Sequence, residues 1–128
     1  PMEWANPLHY DPVARQFPEL KIILAHVGLP WFTDAMVMVR KNRNVYADIS
    51  GAMLRPWWCY QALAAFHESG ILQKLLFGTD WPIILFDQTI NGLRRVNDVV
   101  EGTAMPKIPP DEIEALIHRD SLSLLGLA

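Results

Sequence analysis

The sequence has little of what several protein classes require. It contains one cysteine, Cys59, so no internal disulfide can form, and a reducing compartment such as the cytoplasm is expected. It lacks any Lys/Arg-rich run. Eleven basic residues stand against 14 acidic ones, a formal charge of −3, which excludes the basic footprint of a nucleic-acid binder. No apolar run approaches the ~18–20 residues that a membrane span needs, and the N-terminus lacks the basic-then-apolar pattern of a signal peptide. There is no low-complexity tract, Gly/Ser linker or repeat. At 51% hydrophobic and 20% charged residues the chain is not disordered, and its length suits one unit over 1–128. What it has in surplus is five Trp and five Met, more apolar surface than so small a chain readily buries, which hints at a partner surface.

Along the chain, apolar runs alternate with amphipathic stretches. Lys21–Val27, Asn44–Ser50 and Lys74–Thr79 read as buried strands bounded by Gly and Pro. Helices are expected over 31–43 (Phe32, Ala35, Met36 and Val39 on one face), 57–69 (Cys59, Ala62, Leu63, Phe66, with Gly70 just past the end), 87–101 and 111–125. A short one over 11–17 begins with Asp11 as cap and Pro12 in the first turn. Strands separated by helices imply a parallel α/β sheet with right-handed crossovers. Ile22, Leu24, Val45, Ala47, Leu75 and Phe77 are candidates for that sheet; only one set of alternate positions can face the helices, which leaves the other sheet face to water or to a partner.

In such folds reactive groups gather at the C-terminal ends of the strands. Here those ends supply His26, then Asp48 and Ser50, then Thr79 and Asp80. A His and two Asp converging on one edge suit a metal or general acid/base chemistry. The plainer reading stays open: Asp48 and Ser50 as turn caps, Asp80 as an N-cap. The strand ends His26, Asp48 and Asp80 lie 22 and 32 residues apart, which fits the ~31 residues per unit of a (β/α)₈ barrel, although three strands cannot close one. Cys59, mid-helix on the apolar face, reads as core. His118-Arg119-Asp120 is not a kinase catalytic loop, because the expected Asn is Leu125 and no Gly-rich loop is present.

The stretches Ile23-Leu24-Ala25-His26-Val27-Gly28, Asn44-Val45-Tyr46-Ala47-Asp48-Ile49-Ser50-Gly51 and Leu76-Phe77-Gly78-Thr79-Asp80-Trp81-Pro82 resemble the C-terminal half of amidohydrolase-2-type proteins. That group includes the aminocarboxymuconate-semialdehyde decarboxylase-like enzymes. The closing Ile117–Leu127 segment also looks like the family's final helix, with Asp120 where the family usually has Asn. The resemblance implies a TIM barrel of which this chain supplies strands six to eight, and one divalent metal, commonly zinc. It implies Asp80 as a metal ligand and proton shuttle, and His26 as the catalytic histidine beside metal-bound water and a possible second ligand. Trp31 and Trp81, which follow the two motifs, and Arg55, after the second strand, are candidate substrate contacts, with barrel-rim packing or a solvated loop arginine as the alternatives.

The chain departs from the family in lacking the His-x-His pair of the first strand and the histidine of the fifth. Its other histidines, His9, His67 and His118, fall on no expected strand end. A catalytic zinc takes three protein ligands plus water, and Asp80 with His26 supplies two at most. Two expectations follow. One is a part of a metal-dependent hydrolase or decarboxylase acting on a small carbonyl or carboxylate compound. The other is an inactive half-barrel without a metal of its own, which assembles with itself or with a missing N-terminal half.

Overall fold

The sheet that organises the molecule is built from three runs with too many β-branched and aliphatic residues to tolerate solvent. A computed structural model describes residues 2–128. Its strands are β1 (Ile22–Leu24), β2 (Val45–Asp48) and β3 (Leu75–Leu76), in that spatial order and all parallel. Ile22 pairs with Val45, Leu24 with Ala47, and Ala47 with Leu75 on its other side. The helices are α1 (Asp11–Gln16), α2 (Phe32–Lys41), α3 (Pro56–Glu68), α4 (Phe86–Arg94), α5 (Pro110–Ile117) and α6 (Ser121–Leu125). Among the described residues no helix is long and apolar enough to cross a membrane.

The strands lie where the apolar runs put them but are shorter. The first ladder stops at Leu24 because the backbone turns left-handed at His26, and the third is two residues long, ending at Leu76. Leu24, Val45, Ala47 and Leu75 point into the main core, with Ile22 and Phe77 packed against it. There they meet Ala35, Met38 and Val39 of α2 and Cys59, Leu63 and Phe66 of α3, all buried. Pro56 starts α3, and Gly70, at φ 65°, ends it. The Gly70 and Ile71 amides donate to the otherwise orphaned carbonyls of His67 and Phe66 at 2.9 and 3.1 Å.

Four local expectations are corrected. Asp11 is not a helix cap: a 3-10 turn, Pro7–Tyr10, runs straight into α1, and the Asp11 carboxylate instead accepts from Asn42 Nδ2 at 3.1 Å. The 87–101 helix is α4 followed by a 3-10 turn, Val96–Val100, after the Arg95 N–H is shared between the Asn91 and Gly92 carbonyls, both at 3.2 Å. The 111–125 helix breaks at His118, and α6 restarts with Asp120 as cap, accepting from the Ser123 amide at 3.1 Å and its hydroxyl at 2.6 Å. That break overturns the fourth expectation. It brings Leu124 and Leu125 onto the second face of the sheet, where Tyr46 and Leu76 are buried with Leu125 in a separate small cluster. Only Ile23 of that face's residues stays open, 45% exposed. The ammonium groups of Lys21 and Lys74 lie over the Tyr46 ring, 6.0 and 5.2 Å from its centre.

Candidate active site

The site begins with an uncommon backbone. His26 (φ 55°, ψ 37°) and Val27 (φ 48°, ψ 26°) are both left-handed, and Gly28 follows at φ 72°. For a β-branched residue this conformation is strained, by roughly 1–3 kcal/mol, and it persists only where the surroundings over-determine it. Here they do. The Val27 side chain is fully buried, the Leu29 N–H donates to the His26 carbonyl at 2.9 Å, and a Cβ on Gly28 would stand 2.5 Å from Ala35 Cβ. The turn ends β1 early and leaves His26 exposed on the C-terminal edge of the sheet. Asp80 is left-handed too, at φ 69°, a conformation that Asp tolerates better than most residues.

One carboxylate oxygen of Asp48 gathers this edge. Asp48 Oδ1 accepts from the His26 amide at 3.2 Å, from the Ser50 amide at 3.0 Å and closely from the Ser50 hydroxyl. Nδ1 of His26 lies 2.9 Å from both the Ser50 carbonyl oxygen and Ser50 Oγ. Gly78 permits the packing: a Cβ there would stand 3.2 Å from Ser50 Cβ.

Gly51, at φ 68°, sits between the first and last strand ends. A Cβ on it would lie 3.2 Å from His26 Nδ1 and 3.2 Å from Asp80 Oδ2, so those two atoms are at most twice that distance apart. Both residues open onto a cleft of about 320 Å³, whose walls include Leu29, Pro30, Leu54, Arg55 and Trp58. The Arg55 guanidinium lies over the Trp58 ring at 5.5 Å from its centre, which holds a cation at the rim of an otherwise apolar wall.

Of the residues singled out in the sequence, His26, Asp80 and Arg55 share this cleft, and Asp48 stands behind His26. Trp31 and Trp81 do not line it. Trp31 is half-buried where its amide donates to Gly28 O at 2.8 Å, and Trp81 is 75% exposed beyond the left-handed turn at Asp80. The aromatic wall is Trp58, three residues after Arg55 in the first turn of α3. Cys59 offers no nucleophile, because burial pushes its thiol far above the ordinary range. His67 pairs with Glu112 at 2.9 Å, and His118 lies 3.5 Å from Glu114, both away from the cleft.

Among the described residues no three His, Cys, Asp or Glu side chains stand together to hold an ion. His26 and Asp80 therefore fall short of the three protein ligands of a catalytic zinc.

A three-stranded parallel sheet with flanking helices, carrying a histidine and carboxylates on its C-terminal edge beside an open cleft, defines the class: an α/β domain. The family model described as amidohydrolase matches residues 1–127, and the chain belongs to the amidohydrolase family. No match to a curated protein or to a solved structure accompanies it.

Proposed function

We propose that the chain carries the proton-transfer edge of a hydrolase or decarboxylase of the aminocarboxymuconate-semialdehyde decarboxylase-like group, acting on a small carbonyl or carboxylate compound. The observation that supports it most is the placement of His26 and Asp80 on either side of Gly51, facing one cleft with Arg55. An imidazole and a carboxyl group opening onto one cleft suit proton delivery to, or removal from, a substrate held there. Arg55 on the Trp58 ring suits a substrate carboxylate, since a guanidinium offers a planar fork of donors. The barrel assignment, with these strands as its sixth to eighth, belongs to the same proposal. So does a divalent metal such as zinc, which would need at least one protein ligand beyond Asp80 and His26.

Turnover tests the reading. A panel of unsaturated and aromatic carboxylates and of small lactones and amides is assayed for carbon dioxide or acid release, with zinc supplied. Turnover by the wild type that falls about 10²–10⁴-fold in His26→Asn and Asp80→Asn, the range for a lost general acid or base, supports it. Arg55→Met should chiefly raise KM for the carboxylates. Absence of turnover across the panel would favour the second reading, a non-catalytic part of a larger assembly.

A further inference from the structure

The contacts behind His26 fix more than its position. A carbonyl oxygen can only accept, so the Ser50 carbonyl at 2.9 Å favours a proton on Nδ1. The Ser50 hydroxyl sits at the same distance and could in principle donate to Nδ1, which would favour the opposite tautomer. Its proton is already taken, because Ser50 Oγ donates to Asp48 Oδ1. That oxygen is in turn held in place by the backbone amides of His26 and Ser50. Only the lone pairs of Oγ then face the imidazole.

We propose that Asp48 is a positioning residue which, by consuming the Ser50 proton, holds neutral His26 with its proton on Nδ1 and its lone pair on Nε2. His26 then exchanges protons at Nε2 only. This rests on the proposed role of His26, but it concerns the ring itself. It also gives Asp48 a task distinct from ligation: its Oδ1 lone pairs are spent on three donors inside the protein.

The test reads ring protons. Long-range ¹⁵N–¹H correlation of the histidine side chains, at an alkaline pH where imidazoles are neutral, tells protonated from bare ring nitrogens, with His26→Asn identifying the His26 signals. Free histidine prefers the proton on Nε2, and the solvent-exposed His9 gives that reference within the same protein. In the wild type, His26 should show the reverse, Nδ1 protonated. Asp48→Ala frees the Ser50 hydroxyl to donate, so the Nε2–H form should appear. Ser50→Ala, left with the carbonyl alone, should keep Nδ1–H. The double variant should return to Nδ1–H, since the Asp48 effect requires the Ser50 hydroxyl. Wild-type His26 with Nε2–H, or an Asp48→Ala shift that persists in the double variant, overturns the proposal. Should Asp48→Ala fail to fold, Asp48→Leu, which keeps side-chain volume but offers no acceptor, takes its place with the same expected Nε2–H form, and an unchanged Nδ1–H signal in it overturns the proposal. If the tautomers come out as stated while no substrate turns over, the functional proposal falls and this one stands.

Discussion

His26 and Asp80 come from the ends of the first and third strands, yet His26 Nδ1 and Asp80 Oδ2 lie equally far, 3.2 Å, from the empty position beside Gly51 where a side chain would begin. The missing side chain at Gly51 lets both groups crowd one point of the sheet edge. Gly51→Ala would press on both at once and would also force an L-residue into φ 68°. The backbone term alone should cost about 1–2 kcal/mol, read as a lower urea midpoint. Activity should fall by more than that stability loss accounts for. An unchanged midpoint with unchanged turnover would show that the spacing is not critical.

Gly28→Ala is the severer change. Its Cβ would stand 2.5 Å from Ala35 Cβ and 3.0 Å from Pro7 Cγ, at φ 72°. Overpacking of about 1–3 kcal/mol adds to the left-handed penalty, so a loss of about 3 kcal/mol or more is expected in denaturant unfolding. A loss below 1 kcal/mol would mean that α2 can shift away from the His26 turn.

How much of this was legible beforehand differs by residue. The three strands are legible because short apolar runs and flanking Gly and Pro agree, while which alternate positions meet the helices is not. The convergence of His26, Asp48 and Asp80 followed from parallel strands alone. The left-handed turn was hidden because Val27, a β-branched residue, argues locally for a strand, and only the packing of Gly28 on Ala35 reverses that. The break before α6 was hidden in the opposite way. Ile113, Leu116, Ile117 and Leu124 continue one helical period, while the capping pair Asp120 and Ser123 ends it. Trp58 carries no signal in the sequence, because helical spacing places it next to core residues and only the contact with Arg55 shows that it faces the cleft.

Lys74 supports the end of α2 from beneath the sheet. Its Nζ donates to the Val39 and Asn42 carbonyls at 2.7 Å each, at the negative end of the helix dipole. Lys74→Met leaves those acceptors unpaired and should cost about 1–3 kcal/mol in urea unfolding. Burial first, and the nearby Lys21 ammonium second, lower the Lys74 pKa. The folded state then binds this proton less tightly than the unfolded state, where the value is about 10.4. Its contribution to stability therefore increases as pH rises through the lowered value toward about 10.4, and that rise should be missing in Lys74→Met. Parallel stability–pH curves for the two proteins would contradict the assignment.

Asp120 gives the opposite pH signature. Its pKa is lowered first by the Ser123 hydroxyl and then by the Ser123 amide, the two donors of the α6 cap. A lowered carboxyl contributes stability above its unfolded value, about 3.9, and loses it as pH falls through the lower folded value. Because α6 covers Tyr46 and Leu76, the loss should appear as local opening of that helix before the main core responds. Hydrogen exchange at Leu124, whose amide donates to the Asp120 carbonyl at 3.1 Å, is the direct reporter. Asp120→Ala should exchange faster at neutral pH, with the difference from wild type shrinking as the medium is acidified below about pH 4. Asp120→Asn separates the cap from the charge. A carboxamide oxygen caps nearly as well as a carboxylate, so protection at neutral pH should be close to wild type and should not fall on acidification. If Asp120→Asn loses protection at acid pH as the wild type does, the acid sensitivity arises elsewhere and the cap is not its source.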